Sequence, residues 1–195
     1  PGHGVRLSKL DPAATHGFEK DSAAPILERQ MARLTELQDR LWAESKRSVL
    51  VVLQGIDAAG KDGTIQKVME AFNPQGCVVS SFKVPSVEEM AHDYLWRVHK
   101  RVPGKGEIGI FNRSHYEEVL IVRVHELVPK AVWKARYDQI NDFEAHLAAN
   151  GTTIVKFFLS IDRDEQRIGL VAARGRNRTD RAPQQLVADE ARERR

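Results

Sequence analysis

The sequence predicts an α/β protein built on a mostly parallel sheet with helices on both faces. Short runs of aliphatic and β-branched residues alternate with longer segments whose apolar residues recur every three or four positions. Strands separated by helices along the chain form parallel sheets. Ligands bind such sheets beyond the carboxyl ends of the strands, so the residues that follow each strand are the candidates for a functional site.

The predicted elements follow one another with short connections. Between residues 24 and 46 the apolar residues have the spacing of an amphipathic helix. The next segment, 48–54, has five aliphatic residues among seven, as in a strand buried on both faces. Ser86 followed by two acidic residues predicts a helix start. The other strands are predicted at 77–82, 108–111 and 152–159, and the helices at about 61–72, 86–101, 114–124 and 129–149.

The composition is that of a globular protein. Of 195 residues, 42% are hydrophobic and 29% are charged, which excludes disorder of the whole chain. No apolar run approaches the roughly 20 residues of a membrane helix, and no leader pattern opens the sequence, so we expect a soluble cytoplasmic protein with no membrane partner. The net charge of +3 is too small to require a nucleic-acid partner. The single cysteine, Cys77, is expected to be a small buried apolar residue.

Three segments differ in composition. Residues 1–23 are expected to form an N-terminal arm, residues 24–167 the main domain, and residues 168–195 a divergent tail. From residue 162 onward there is no aromatic side chain, and arginines crowd among acidic and amide residues. Such a segment buries little surface and is expected to be solvated. The abrupt change also suggests a truncation or a change of reading frame, which translation of the other frames would test.

A glycine-rich loop with a lysine follows the first predicted strand and opens a helix. Residues 55–61 match the pattern G-x-x-x-x-G-K, in which backbone N–H groups surround phosphate oxygens and Lys61 supplies a full positive charge. Asp62 stands where a metal-binding Ser or Thr usually follows the lysine, and Asp57 inside the loop could anchor Mg²⁺ instead. The alternative is a strand-to-helix turn with no ligand. The expected phosphate-binding residues are Gly55, Ala58, Ala59, Gly60, Asp62, Gly63 and Thr64.

A second polar segment ends the third predicted strand. Asn112 occupies the position where phosphate-loop proteins usually carry a metal-binding Asp, and its amide oxygen is a weaker candidate ligand. Arg113 is expected to project from the strand end toward the phosphates, because a guanidinium matches phosphate geometry. Taken alone, this arginine could equally be a surface residue in a loop. The histidines at 92, 99, 115 and 125 are expected to be packing or surface residues.

Several motifs in the same order resemble the polyphosphate kinase 2 family. They are the segments 51–65 (VVLQGIDAAGKDGTI), 73–76 (NPQG), 81–86 (SFKVPS), 92–97 (HDYLWR) and 110–125 (IFNRSHYEEVLIVRVH). The resemblance covers about residues 34–167, and the last of these motifs resembles the subclass that accepts AMP as well as ADP.

The resemblance implies a three-layer P-loop kinase-like fold and a transferase that uses Mg²⁺. Its substrates would be inorganic polyphosphate and a nucleotide, ADP or GDP or else AMP or GMP. Family members often form dimers or tetramers, so a homo-oligomer is expected. The family's functional residues correspond to Asp57, Lys61 and Arg113, with Asn112 as a second metal position beside Asp57. Further phosphate or nucleotide contacts are expected at Lys83, Asp93, Arg97 and Arg123.

The resemblance ends after Arg167, where family members continue into a basic, aromatic lid. A lid excludes water and supplies late-arriving basic groups, and Arg167 and Arg174 are the only candidates here for that role. Two other interpretations therefore stay open. One is a nucleoside monophosphate kinase that uses ATP, and the other is a catalytically impaired fragment that binds nucleotide or polyphosphate.

Overall fold

A four-stranded sheet forms the centre of the computed structural model, which describes residues 9–172. The strands are β1 (Ser48–Gly55), β2 (Cys77–Ser81), β3 (Ile108–Asn112) and β4 (Thr152–Leu159). Their order is β2-β3-β1-β4, and β3 pairs in parallel with both β1 and β2. The predicted α/β class with a mostly parallel sheet is confirmed, and every strand begins at its predicted residue.

Helices precede and connect these strands. They are α1 (Lys20–Glu44), α2 (Lys61–Met69), α3 (Val87–Met90), α4 (Trp96–His99), α5 (Glu117–Val124) and α6 (Lys130–Ala149). Residues 163–172 are also helical, and a 3₁₀ turn covers Pro74–Gly76. None of the helices within residues 9–172 combines the length and apolar character needed to cross a bilayer. The rest of the predicted tail, including Arg174, lies outside the described residues.

One predicted helix is wrong. The segment expected to be helical from 86 to 101 contains two short helices instead, although Ser86 does begin the first of them with a reciprocal hydrogen-bonded cap to Glu89. The interruption is at Asp93, whose carboxylate oxygen accepts hydrogen bonds from the N–H groups of Leu95 at 2.9 Å and Trp96 at 3.1 Å. A side chain that binds nearby backbone in this way competes with a continuous helix.

The hydrophobic core lies around β1 and β3. Leu50 and Phe111 are completely buried, and the Phe82 and Phe111 rings meet edge to face with their centroids 4.8 Å apart. Phe143 and Leu147 of α6 pack into the same cluster. These strands carry apolar residues on both faces because both faces are covered. Burial of the core therefore holds the carboxyl ends of β1 and β3 in register, with Leu53 opposite Asn112.

The described residues divide into two compact units. The larger consists of Thr15–Gln54 and Lys61–Phe158 and contains most of the sheet. The smaller contains residues 9–14, 55–60 and 159–172. Within the smaller unit a Cβ atom on Gly55 would lie 2.8 Å from the carbonyl oxygen of Leu159, so only glycine fits at that position.

Candidate phosphate-transfer site

The loop of residues 55–60 has a backbone conformation suited to an anion. Ala58 and Gly60 are left-handed, with φ of 66° and 84°, and the N–H of Ala59 donates to the carbonyl of Ile56 at 3.2 Å. Left-handed residues in a turn direct successive N–H groups into a concave anion site. A positive φ at a non-glycine residue costs about 1 kcal/mol or more, and such strain is concentrated at ligand-binding turns.

Asp57 is exposed inside this loop. The side-chain amide of Gln166 donates to its backbone carbonyl at 3.3 Å, within the smaller unit. This contact links the loop to the helical residues 163–172. The backbone of Asp57 is therefore held by a residue that the sequence analysis did not single out.

Lys61 and Asp62 open helix α2 in the larger unit. Lys61 is only 8% exposed, which is unusual for a lysine because burial removes the hydration of its ammonium group. Asp62 is exposed, as are Gly63 and Thr64 behind it. The positive end of the α2 dipole adds to the charge of Lys61 at this point. The start of α2 therefore combines a nearly buried lysine with the positive end of a helix dipole.

Asn112 meets Asp62 across the larger unit. The amide nitrogen of Asn112 donates to a carboxylate oxygen of Asp62 at 2.6 Å. The hydrogen bond places the two side chains next to each other. Each still has one oxygen that could bind a metal: the amide oxygen of Asn112 and the second carboxylate oxygen of Asp62. No group of three or more His, Cys, Asp or Glu in residues 9–172 is arranged to hold a metal, but Mg²⁺ in phosphate sites needs only one or two protein oxygens beside waters and phosphates. The pair fits that requirement.

A basic hollow of about 310 Å³ lies at the carboxyl end of β2. Its charged lining residues are Lys83, Glu89, Arg97 and Arg101. Arg97 is buried, donates to the carbonyl of Lys83 at 2.9 Å and forms an ion pair with Glu89 at 3.2 Å. Arg97 thus holds the turn that carries Lys83. Arg101 is not among the residues predicted from the sequence, although its position four residues after Arg97 is a usable signal.

Two residues predicted to contact phosphate or nucleotide, Asp93 and Arg123, do not line the basic hollow. Asp93 caps the backbone at the start of α4 through one carboxylate oxygen. The guanidinium of Arg123 lies 5.2 Å from the ring centre of Trp133 and lines a separate hollow. The lining residues of that hollow and those of the basic hollow around Lys83 do not overlap. The structure therefore brings Lys83 and Arg97 together and leaves Arg123 in a different place.

A partly buried polar cluster forms around Glu144 of α6. His115 and Tyr116 both contact one carboxylate oxygen of Glu144, at 3.1 and 2.8 Å, and Lys156 contacts the other at 2.6 Å. Burial alone would raise the pKa of Glu144, but the hydrogen bonds from His115, Lys156 and Tyr116 outweigh it and lower the pKa from 4.5 to about 2. Glu144 is therefore ionised throughout the physiological range.

Replacement of Glu144 by glutamine is expected to lower the free energy of unfolding most at neutral pH. The pKa of Glu144 is lower in the folded state than in the unfolded chain, so its stabilising effect is complete above pH 4.5 and is lost as the pH falls toward 2. At pH 7 the difference from the unsubstituted protein should be roughly 3 kcal/mol. Urea unfolding at pH 7 and at pH 3.5 measures it. The exposed Asp142 on the same helix, replaced by Asn, is the control, and a Glu144→Gln deficit that stays constant with pH would contradict the expectation.

Comparison with known proteins identifies the family. The Polyphosphate kinase 2 family model matches residues 17–183. The chain is 54% identical over 169 residues to the AMP/ADP-polyphosphate phosphotransferase of Meiothermus ruber, covering 86% of this chain and 63% of that protein. It is 49% identical over 179 residues to the ADP-polyphosphate phosphotransferase of Rhodopseudomonas palustris, covering 85% of this chain and 62% of that protein.

A solved structure agrees with this result. The crystal structure of Polyphosphate Kinase 2 from Arthrobacter aurescens superimposes with a TM-score of 0.84 at 45% identity, over 88% of this chain and 63% of that one. The chain thus spans a little under two thirds of the length of these relatives. Its parallel sheet, its glycine loop and lysine, and the extent of the family match lead to one conclusion: the chain belongs to the polyphosphate kinase 2 family.

Proposed function

We propose that the chain transfers a phosphoryl group between inorganic polyphosphate and a nucleoside mono- or diphosphate. The observation that carries the proposal is the nearly buried Lys61 at the start of α2, directly after a loop with left-handed residues at 58 and 60. Polyphosphate is a linear polyanion, and a lysine kept out of water binds such a charge more strongly than an exposed one. The names of the Meiothermus ruber and Rhodopseudomonas palustris relatives support these substrates.

The transfer requires no general base. An oxygen of the nucleotide phosphate is already anionic, so it attacks the terminal phosphorus directly, and the P–O bond to the rest of the polyphosphate breaks with its electron pair on the leaving oxygen. Alignment and charge neutralisation then provide most of the catalysis. We assign these roles to Lys61 and Arg113, with the loop residues 55–60 and the residues 62–64 as phosphate contacts.

Lys83 and Arg101 are proposed to bind the part of the polyanion that does not react. Both line the basic hollow, and Arg97 supports Lys83 through its carbonyl. The hydrogen bond and ion pair of Arg97 favour this supporting role over direct contact with phosphate. Arg123 and Asp93 are proposed to contact the nucleotide.

Mg²⁺ is the proposed cofactor. Asn112 and Asp62 offer the hard oxygen ligands it prefers, and the hydrogen bond between them orients both side chains. Asp57 is kept as the metal ligand that the sequence predicts. When bound, the ion would neutralise negative charge on the phosphates.

The chain is also proposed to act in the cytoplasm as a dimer or tetramer, without nucleic-acid or membrane partners. Exposed apolar side chains along α1, among them Leu27, Leu37 and Trp42, support self-association. The small net charge supports the absence of a nucleic-acid partner.

Polyphosphate as the only phosphoryl donor tests the proposed function. With Mg²⁺ and ADP, the purified chain is expected to form ATP, and replacement of Asp57 by Asn should slow this by about 100-fold. ATP formation measured by luciferase follows the reaction. Transfer from ATP to AMP without transfer from polyphosphate would identify a nucleoside monophosphate kinase instead. Binding of polyphosphate with no transfer, unchanged in Asp57→Asn, would identify a binding fragment.

A further inference from the structure

The backbone at Arg113 is strained. Its φ is 62°, a left-handed conformation that costs a non-glycine residue about 1–2 kcal/mol. Such a conformation persists only where the surroundings hold it in place. Arg113 is also a proposed catalytic residue, so the contacts that hold its backbone bear on the reaction.

Two contacts hold the segment on the side of β1. The N–H of Arg113 donates to the carbonyl of Leu53 at 3.1 Å. The next residue, Ser114, is 1% exposed, and its hydroxyl lies 2.7 Å from the side-chain amide of Gln54. In the amide orientation that satisfies both of its ends, Gln54 also accepts from the N–H of Ser114 at 3.1 Å and donates to Glu117 at 3.1 Å.

A third contact holds the segment on the side of α6. The ring of His115 is fully buried, and its Nε2 lies 3.1 Å from Glu144. An ionised carboxylate only accepts hydrogen bonds, so this nitrogen carries the proton and donates it. Tyr116 donates its hydroxyl to the same carboxylate oxygen at 2.8 Å. Two consecutive residues of the segment are therefore bound to one carboxylate.

Packing alone does not account for His115. Its other ring nitrogen, Nδ1, is buried and has no hydrogen-bond partner among the residues that the structure describes. A buried polar atom without a partner costs about 1–3 kcal/mol. A leucine would fill similar space without this cost, whereas it could not donate to Glu144. The hydrogen bond to Glu144 is therefore the property that the histidine adds.

We propose that His115 is a positioning residue, which through Glu144 holds the segment 113–116 so that Arg113 keeps its left-handed backbone and its place in the reaction. The inference rests on the proposed function. The hydrogen bond from Tyr116 to the same carboxylate attaches the segment to Glu144 at a second point. Lys156 belongs to the same cluster but lies on β4, where it donates to Glu144 at 2.6 Å and to the hydroxyl of Tyr116 at 2.9 Å, while no described hydrogen bond joins it to residues 113–115. Replacement of Lys156 therefore disturbs Glu144 and Tyr116 but keeps the His115 hydrogen bond, which makes it the control.

Replacement of His115 by leucine is expected to lower kcat about tenfold or more and to leave the KM for polyphosphate and for ADP within about threefold. Lys156→Met removes the hydrogen bonds to the same carboxylate and to the Tyr116 hydroxyl but keeps that of His115, so it should leave kcat within about twofold. His115→Gln, whose amide can still donate to Glu144, should recover part of the loss. A purely structural role predicts instead that the leucine and methionine variants lose activity in proportion to their loss of thermal stability, and that result would overturn the proposal.

The decisive measurement is whether the effect of His115→Leu on kcat depends on the presence of Arg113. If His115 acts through Arg113, then His115→Leu should lower kcat less than about twofold further in an Arg113→Ala protein, because the group it positions is already absent. The same tenfold loss in both backgrounds would contradict the proposal.

Amide hydrogen exchange separates failure of this inference from failure of the proposed function. The Arg113 amide is expected to exchange at least about tenfold faster in His115→Leu and to be unchanged in Lys156→Met. This readout needs no substrate, so it decides the positioning role even if polyphosphate is not used. Equal exchange at Arg113 in both variants would overturn the inference. If His115→Leu does not fold, Tyr116→Phe replaces it in the exchange experiment, because this variant keeps the ring and loses only the hydroxyl that binds Glu144.

Discussion

Replacement of Lys61 by methionine is expected to lower polyphosphate-dependent ATP formation by at least about 100-fold. Removal of a single group that stabilises developing charge in a water-poor site commonly costs a factor of this size. Lys61 is nearly buried, so little water surrounds its ammonium group, and it lies at the positive end of α2, where negative charge is stabilised. Methionine has a similar length without the charge, so the loss can be assigned to the ammonium group. Steady-state rates with polyphosphate and ADP measure it.

Lys67 provides the matched control. It lies on the same helix, is exposed, and forms an ion pair with Glu70 at 2.5 Å. An exposed pair of this kind contributes little to stability, so Lys67→Met should keep full activity. If Lys61→Met and Lys67→Met had equal rates, the phosphate role of the glycine loop would be wrong.

Replacement of Arg113 by alanine is expected to have the larger effect, about 1000-fold on kcat. An arginine that stabilises the charge of a phosphoryl group in transfer contributes about this much or more in other phosphotransferases. Arg113→Lys keeps the charge but loses the two-point geometry of the guanidinium, so it should recover only part of the rate.

The backbone at Arg113 makes this substitution informative. Alanine bears nearly the same strain at a φ of 62° as arginine does, so the strain itself is expected to be the same in Arg113→Ala. Arg113→Gly, which relieves the strain, should be as inactive as Arg113→Ala and somewhat more stable in thermal unfolding. Full activity in Arg113→Ala would remove Arg113 from the mechanism.

Local patterns predicted the sheet well. The strand starts at 48, 77, 108 and 152 agree with the structure because buried strands have runs of aliphatic residues that helices and turns lack. The single helix predicted for the segment 86–101 was wrong. Its apolar spacing favours one helix, but the carboxylate of Asp93 binds the backbone and divides the segment into two short helices. A side-chain hydrogen bond of this kind depends on a rotamer, which periodicity does not reveal.

The sequence located the candidate site residues but did not predict their contacts. The glycine loop, Lys61 and Arg113 are recognisable because each follows a strand end. The hydrogen bond between Asn112 and Asp62 joins residues fifty positions apart, and the role of Arg97 as a support for Lys83 depends on a backbone carbonyl. His115 was expected to be a packing or surface residue, and its link to Glu144 across α6 has no signal in the sequence.

By itself, the sequence determined the order of the elements, the parallel sheet and the position of the glycine loop, because these depend on local spacing of apolar, glycine and charged residues. The tertiary structure alone decided which polar side chains meet: Asn112 with Asp62, Arg97 with Lys83, and His115 with Glu144. The physical reason is that hydrogen bonds act over about 3 Å, so they depend on how distant segments pack rather than on the pattern within any one segment.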